Sequence, residues 1–202
     1  MELARRIRPE ERDLALGAVV DAFRRDPLVR WYFPDDAGYD RSAATFFGVL
    51  LDSRIDGGEV WVTPDAAAVS MWIPPGGNLI GPEVAAARYT EVVAGLPGPA
   101  PERIAAVDEL VDGLLPREPH WYLGVLACRP DRRGQGLGTA VTRPLLVAAD
   151  RAGLPVALET STARNVDYYA RRGFSVMASR SVGGPDDPVL RVMRREPDTA
   201  GC

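Results

Sequence analysis

A long apolar segment that ends in closely spaced glycines is the strongest structural signal in this sequence. Residues 120–130, HWYLGVLACRP, predict a buried strand, and the chain continues at once into DRRGQGLG, with glycines at 134, 136 and 138. The next segment, GTAVTRPLLVAADRAG, predicts a helix that Pro144 should kink or locally break. A strand that runs into glycines and opens a helix can bind phosphate, because backbone N–H groups turn inward and the helix N-terminus supplies further ones.

The spacing of these glycines excludes two common phosphate-binding loops. The dinucleotide fingerprint G-x-G-x-x-G requires a glycine where this chain has Thr139. All 24 basic residues are arginine, so the lysine of the P-loop is missing, as is a lysine for Schiff-base chemistry. Arg132 and Arg133 add positive charge to the segment. The sequence therefore predicts an anion-binding loop of another kind.

The composition limits the class of protein. A chain of 202 residues, 46% hydrophobic and 26% charged, is typical of a soluble globular domain. The charged N-terminus and the lack of a membrane-length apolar run predict a cytoplasmic protein with no membrane partner. A net charge of -4 gives no electrostatic footprint for nucleic acid. Two distant cysteines and a single histidine argue against a disulfide framework and against a metal site.

The segments before residue 120 predict a mixture of helices and strands. In chain order the patterns indicate a short strand (5–9), a helix ended by Asp26-Pro27, an irregular aromatic segment (28–36), a helix (40–58), a hairpin around Thr-Pro-Asp, and a helical insertion (81–119). The insertion is too short to form a core of its own, so it is not a second domain. We expect a single α/β domain over residues 1–195 and a disordered tail over 196–202.

From residue 120 onward the predicted order is strand, glycine loop, helix, strand, helix, strand, strand. The first unit is a strand–helix–strand crossover, so the strands at 120–128 and 155–160 should be parallel. The later strands follow as hairpins. The chain is therefore expected to form a mixed sheet.

Further features around the glycine loop resemble one known family. Arg133-x-x-Gly136-x-Gly138 resembles the pyrophosphate-binding motif Q/R-x-x-G-x-G/A of the GCN5-related N-acetyltransferases (GNAT). Arg129-Pro130 before it, ALETS after it, and NVDYYARRGF at 165–174 also agree with that family, over about residues 118 to 195. The looser stretches DPLVRWYFPDD, VSMWIPPG and HWYL resemble the branch that includes puromycin N-acetyltransferase. The resemblance implies a mostly antiparallel twisted sheet with two splayed parallel strands, helices on both faces, and acetyl transfer from acetyl-coenzyme A to an amine.

The resemblance also implies which residues bind the cofactor. The pantetheine arm would lie extended along the backbone of Leu126, Ala127 and Cys128, where an N–H group would polarise the thioester carbonyl. Asn165 would bind the arm as well, with a helix N-cap as the alternative role. Cys128 itself is expected to be a packing residue. The diphosphate would be held, mainly by backbone N–H groups, along Arg133, Gly134, Gln135, Gly136, Leu137, Gly138 and Thr139.

Acetyl transfer requires a base for the ammonium and a proton for the leaving thiolate. The family pattern selects Tyr169 as the acid, and Tyr168, about 100° away on a helix, is then a packing residue. Glu159, at the exit of the predicted strand VALET, is the first choice of base, either directly or through a water. His120, at the start of the preceding strand, is the second choice of base, and it has the better intrinsic pKa. For both residues a purely structural role is the alternative.

The acceptor pocket is predicted from aromatic residues and from the helical insertion. Trp31, Tyr32, Phe33 and Trp72 are candidates for its walls, with core packing as the alternative for the 28–36 segment. The insertion at 81–119 would form the roof of a closed pocket, which favours a small-molecule primary amine as the acceptor. The alternatives are acetylation of a protein or peptide, and a non-catalytic sensor that only binds acyl-coenzyme A. A homodimer is compatible with the resemblance, since dimers are common in that family.

Overall fold

A mixed β-sheet forms the centre of the protein, as described by a computed structural model over residues 3–77 and 83–198. Its seven strands are β1 (Arg5–Arg6), β2 (Glu59–Val62), β3 (Ala68–Ile73), β4 (Trp121–Cys128), β5 (Val156–Thr160), β6 (Phe174–Ser181) and β7 (Val189–Arg195). They lie in the order β1-β2-β3-β4-β5-β7-β6. The β4–β5 pair is parallel and the other pairs are antiparallel. This arrangement confirms the expected fold class.

Helices cover both faces of the sheet. They are α1 (Arg12–Phe23), α2 (Pro27–Tyr32), α3 (Tyr39–Gly57), α4 (Glu83–Ala94), α5 (Ala100–Leu114), α6 (Leu137–Ala152) and α7 (Ala163–Ala170). The first five contribute to one hydrophobic core with Met71 and Tyr122 of the sheet. The last two pack on the opposite face, against Leu123 and Leu158. The sheet therefore separates a five-helix layer from a two-helix layer. Each layer packs an apolar core against its face of the sheet.

The aromatic segment after α1 is helical over part of its length, and the prediction of an irregular segment was wrong there. Asp26 has an extended backbone, and its carboxylate accepts hydrogen bonds from the N–H groups of Leu28 and Val29. Pro27 occupies the first helical turn, where its missing N–H costs nothing. Asp26-Pro27 thus begins α2, although the sequence also allowed it to be read as the end of α1.

Two irregularities of β4 open the middle of the sheet. Trp72 of β3 pairs with Leu123 while Met71 pairs with Val125, so Gly124 is an extra residue in a β-bulge. On the other side, the ladder between β4 and β5 consists of only three pairs, from Trp121–Val156 to Leu123–Leu158. The two parallel strands therefore separate beyond Leu123, and one edge of β4 has no neighbouring strand in the part of the chain that the structure describes.

The ends of the later elements differ in part from expectation. Helix α6 continues through Pro144 without a break. At the C-terminus, Glu196 pairs with Arg194, and the N–H of Asp198 donates to Asp150 Oδ1 at 2.8 Å. Residues 199–202 of the expected disordered tail, with Cys202, lie outside the described residues. Every helix within the described ranges is too short or too polar to span a lipid bilayer.

Candidate active site

A cavity lies where β4 and β5 separate, and side chains from both faces of the sheet line it. Leu126 and Tyr169 belong to the side covered by α6 and α7. Tyr122 and Tyr89 belong to the opposite side, covered by α1 to α5. The cavity therefore extends through the gap between the two strands. A ligand bound on one face can reach a ligand bound on the other.

The open edge of β4 presents backbone groups to this gap. The N–H of Arg129 donates to the carbonyl of Ala67 on the β3 side at 2.8 Å. Because backbone groups alternate in direction along a strand, those of Ala127 also point to β3, whereas those of Leu126 and Cys128 point to the open edge. Of the three residues predicted for the pantetheine arm, Leu126 and Cys128 are thus the two that offer backbone groups to it. Burial raises the pKa of the Cys128 thiol, which suits a packing residue.

The glycine loop forms an open concave surface at the N-terminus of α6. Gly134 and Gly136 have φ values of +81° and +78°, in the left-handed region that favours glycine. A Cβ at either position would meet no atom of the described residues within 4 Å. Gly136 is the N-cap of α6 and brings no side chain to cap it, so the first-turn N–H groups keep their hydrogen-bonding capacity. The loop is therefore shaped for an anion.

The two arginines of the loop hold it against the rest of the protein. Arg132 pairs with Asp65 and donates from Nε to Gln135 Oε1 at 3.1 Å. Arg133 donates to the carbonyl of Ala22, at the end of α1, at 2.9 Å. Their side chains are engaged within the protein, which leaves the backbone N–H groups of the loop for an anion.

Asn165 reaches the cavity from the first turn of α7. Its Nδ2 donates to Thr160 Oγ1 at 3.1 Å. The N-cap of α7 is Thr162, whose hydroxyl accepts from the N–H of Asn165 at 3.3 Å. The alternative role of Asn165 as the N-cap is therefore wrong.

The adjacent tyrosines of α7 point in different directions. Tyr169 is 7% exposed and lines the cavity, and burial, then the nearby Tyr168 and Glu159, raises the pKa of its phenol. Tyr168 packs beneath the guanidinium of Arg172, whose Cζ lies 3.5 Å from the ring centroid. Its Oη has no hydrogen-bond partner among the described residues and lies 2.9 Å from the place that a Cβ on Gly138 would take. The helix thus presents Tyr169 to the cavity and Tyr168 to the glycine loop.

Glu159 lies in the cavity on the side of the sheet that α1 to α5 cover. Tyr122 Oη donates to its Oε2 at 2.6 Å. Burial raises the pKa of Glu159 to about 7; the Tyr122 hydroxyl and the more distant Arg54 act in the opposite direction, and Asp108 adds to the rise. The carboxyl group therefore changes protonation near neutral pH, where a general base is most effective.

His120, the second candidate base, lies apart from the cavity. It precedes Trp121, which pairs with Val156, whereas Glu159 is three residues further along β5. At about 3.3 Å per residue, His120 is roughly 13 Å from the level of Glu159 along the sheet. Its Nδ1 lies 2.9 Å from the carbonyl oxygen of Glu118. The structure does not bring the two candidate bases together.

Of the four aromatic residues predicted for the acceptor pocket, the structure brings Tyr32 to the cavity. Phe33 packs edge-on against Tyr32 within the core. Trp31 donates from Nε1 to Asp187 Oδ1 at 2.8 Å, away from the cavity. Trp72 is fully buried on the other face of the sheet and donates to Ser70 Oγ at 2.9 Å. Strand alternation places Trp72 against α6, because its neighbour Met71 faces the five-helix layer.

Several polar residues of the cavity were missed at the level of the sequence. They are Asp26, Arg54, Tyr89, Asp108 and Tyr122. Arg54 follows Phe47 and Leu51 at helical spacing on the buried face of α3. A charged residue on that face could have indicated the polar cavity. Asp108 stands in the same way between Ile104 and Val111 on α5. A charged residue within an apolar stripe indicates a buried polar site.

No group of three or more histidine, cysteine, aspartate or glutamate side chains in the described part of the chain is arranged to hold a metal ion. The site combines a glycine loop at a helix N-terminus, an open strand edge, a buried phenol and a carboxyl group of raised pKa. A phenol and a carboxyl group that line one cavity can act as an acid and a base.

Comparison with known sequences identifies the family. The model of the Acetyltransferase (GNAT) family matches residues 72–174, just over half of the chain. The chain belongs to this family of acetyltransferases.

Individual relatives agree with this assignment. An N-acetyltransferase of Schizosaccharomyces pombe, itself uncharacterized, is 26% identical over 97% of this chain and 84% of its own length. A Corynebacterium glutamicum structure described as histone acetyltransferase HPA2 and related acetyltransferase aligns with a TM-score of 0.69, at 19% identity over 98% of both chains. A Drosophila melanogaster polyamine N-acetyltransferase aligns with a TM-score of 0.64, at 13% identity over 96% of this chain and 98% of its own. The two structures show the same fold.

Proposed function

We propose that this protein transfers the acetyl group of acetyl-coenzyme A to the primary amine of a small molecule by direct attack. The observation that carries the proposal is the cavity through the gap between β4 and β5. It joins Leu126 and Tyr169 on one face of the sheet to Glu159 on the other. The donor and the acceptor can therefore approach from opposite faces and meet between the strands.

The residues of the cofactor side fit coenzyme A. The diphosphate would lie over Gly134 to Thr139, where the left-handed glycines leave open space above the helix N-terminus. The pantetheine arm would bind the free edge of β4 at Leu126 and Cys128, as an added strand would. Asn165 would donate to or accept from the same arm. When bound, acetyl-coenzyme A supplies the acetyl group as a reactive thioester.

The remaining steps fall to groups of the chain. Glu159 accepts the proton of the acceptor ammonium, directly or through a water, so that the neutral amine attacks the carbonyl carbon. A backbone N–H at the open edge of β4 stabilises the negative charge that develops on the carbonyl oxygen. As the carbon–sulfur bond breaks, Tyr169 donates its phenolic proton to the thiolate. Its raised pKa keeps that proton in place until the thiolate forms.

A small acceptor is supported by the helices that cover one side of the cavity. Helices α4 and α5 contribute Tyr89, Val107, Asp108 and Val111 to its lining. They cover the side of the cavity that is opposite the cofactor, whereas an acetyltransferase for proteins requires an open groove for a peptide. The family likeness to a polyamine N-acetyltransferase is consistent with a small amine. The assignment to the puromycin branch, the cytoplasmic location and the homodimer stay predictions.

Thiol release from acetyl-coenzyme A tests the proposal, with a panel of small primary amines and of peptides as acceptors. We expect turnover with small amines and a product heavier by one acetyl group in mass spectrometry. Turnover of peptides alone would indicate a protein acetyltransferase. Binding of coenzyme A in calorimetry without turnover of any acceptor would indicate the sensor function and contradict the proposal.

A further inference from the structure

We propose that Asp108 binds a second cationic group of the acceptor, so that the preferred acceptor is a dication such as an alkyl diamine or an amine with a guanidinium group. This inference rests on the proposed function, because it describes the distal end of the same acceptor site. It concerns the part of the cavity between α4, α5 and the sheet. No step of the acetyl transfer requires Asp108.

The charges that line the cavity favour a cationic ligand. Among the described residues, three carboxyl groups, of Asp26, Asp108 and Glu159, line the cavity together with one guanidinium, that of Arg54. Asp26 is used as the cap of α2, through the N–H groups of Leu28 and Val29 at 2.9 and 3.2 Å. Asp108 and Glu159 remain as the two carboxyl groups available to an acceptor. An acceptor that carried a carboxylate would add to this excess of negative charge.

Asp108 and Glu159 occupy separate positions. Glu159 is on β5 and is held by Tyr122 of β4, whereas Asp108 is on α5 and is held by Tyr89 of α4. One carboxyl group thus belongs to the sheet and the other to the roof. An extended acceptor with a cation at each end can contact both, with the end nearer the gap being acetylated.

Asp108 lines the cavity and has one carboxylate oxygen available to a ligand. Tyr89 Oη donates to its Oδ2 at 2.8 Å, and its Oδ1 accepts no hydrogen bond from the described residues. Burial raises the pKa of Asp108 to about 6; the hydroxyl of Tyr89 and the more distant Arg54 act against this rise. The raised value reflects burial of the carboxyl group, and a bound ammonium would favour its ionised form.

Three aromatic rings lie close together in the lining of the same cavity. The ring of Phe46 lies with its centroid 6.3 Å from that of Tyr89 and 5.8 Å from that of Tyr32. All three residues line the cavity. Aromatic faces accommodate an alkyl chain and attract cations, which again suits an alkyl chain with a cationic end.

Initial rates with acceptors matched in length test this inference. The probes are 1-aminobutane, 1,4-diaminobutane and agmatine, at about pH 8, where a carboxyl group of pKa about 6 is ionised. We expect the wild type to prefer the two dications over the monoamine by at least about tenfold in kcat/KM. Asp108→Asn should remove this preference by raising KM for the dications much more than KM for the monoamine. Glu109→Gln, at the exposed neighbouring position on α5, is the matched control and should retain the preference.

Two results would overturn the inference while the proposed function stands. One is turnover of the monoamine by the wild type as efficient as that of the dications. The other is an Asp108→Asn variant that still prefers the dications. The wild-type comparison does not depend on the folding of any variant. Tyr89→Phe provides a second variant, and it should weaken the same preference for dications. If no amine is turned over although coenzyme A binds, the proposed function fails and this inference with it.

Discussion

Tyr122 Oη donates a hydrogen bond of 2.6 Å to Glu159 Oε2, across the place where the parallel strands β4 and β5 separate. The last paired residues, Leu123 and Leu158, are the immediate neighbours of the two in sequence. The bond therefore holds the carboxyl group at the mouth of the gap. It also stabilises the ionised form of Glu159, since a hydroxyl donor favours the charged carboxylate.

Removal of this hydroxyl should shift the pH dependence of catalysis. In wild type we expect kcat/KM to rise with pH through about 7, the pKa of Glu159, because the ionised form is the base. Tyr122→Phe leaves the carboxyl group buried without its donor, so the pKa rises and the limb moves to higher pH. Tyr89→Phe removes the donor of Asp108 instead and should not move the limb upward. A limb that stays in place in Tyr122→Phe would show that Glu159 is not the titrating base.

The choice between the two candidate bases can be made by a pair of substitutions. Glu159→Gln should lower kcat by about 10²- to 10⁴-fold and abolish the limb near neutral pH, with the affinity for coenzyme A retained. His120→Asn should leave both the rate and the pH profile unchanged, since His120 lies outside the cavity next to the Glu118 carbonyl. Steady-state kinetics and calorimetry provide the measurements. The opposite pattern would make His120 the base.

The adjacent tyrosines of α7 provide a matched pair for the general acid. Tyr169→Phe should lower kcat about 10²-fold or more while KM for the amine stays nearly constant, because the lost proton is needed only as the thiolate leaves. Tyr168→Phe removes a buried hydroxyl that has no partner in the described part of the chain. Thermal unfolding of Tyr168→Phe should therefore show unchanged or higher stability, by up to about 1–2 kcal/mol. Full activity of Tyr169→Phe would refute its assignment as the acid.

The glycine loop can be tested by comparing two glycine substitutions. Gly136→Ala forces an L side chain into a backbone with φ of +78° and places it in the open space above α6. We expect a loss of stability of about 1–2 kcal/mol from the backbone and a larger loss of affinity for coenzyme A. Gly113→Ala on the exposed side of α5 is the control and should stabilise the fold without changing that affinity. Unchanged coenzyme A binding by Gly136→Ala in calorimetry would refute the role of the loop.

The parts of the site that could be predicted from the sequence are those in which neighbouring residues share one element. The spacing of Gly134, Gly136 and Gly138 sets the loop, and one helical turn links Asn165 to Tyr169. Their local geometry does not depend on distant parts of the chain. The parallel pair of strands was predicted in the same way, from the strand–helix–strand crossover between them.

The acceptor side could not be predicted, because its residues meet only through tertiary packing. Asp108 and Tyr89 come from different helices of the insertion, and Arg54 comes from a third. The placement of Trp72 likewise depended on which face of β3 turned toward α6, and alternation alone leaves that choice open. Helix α2 was missed because Asp-Pro favours both the end of one helix and the beginning of the next.

A crystal structure with acetyl-coenzyme A bound tests the central claim, that donor and acceptor meet through the gap between β4 and β5, most directly. We predict the diphosphate over Gly134 to Thr139, the pantetheine arm hydrogen-bonded to the backbone of Leu126 and Cys128, and the sulfur within reach of Tyr169 Oη. The acetyl group should point through the gap toward Glu159. A cofactor that leaves the open edge of β4 free, or whose acetyl group is separated from Glu159 by the sheet, would contradict the account.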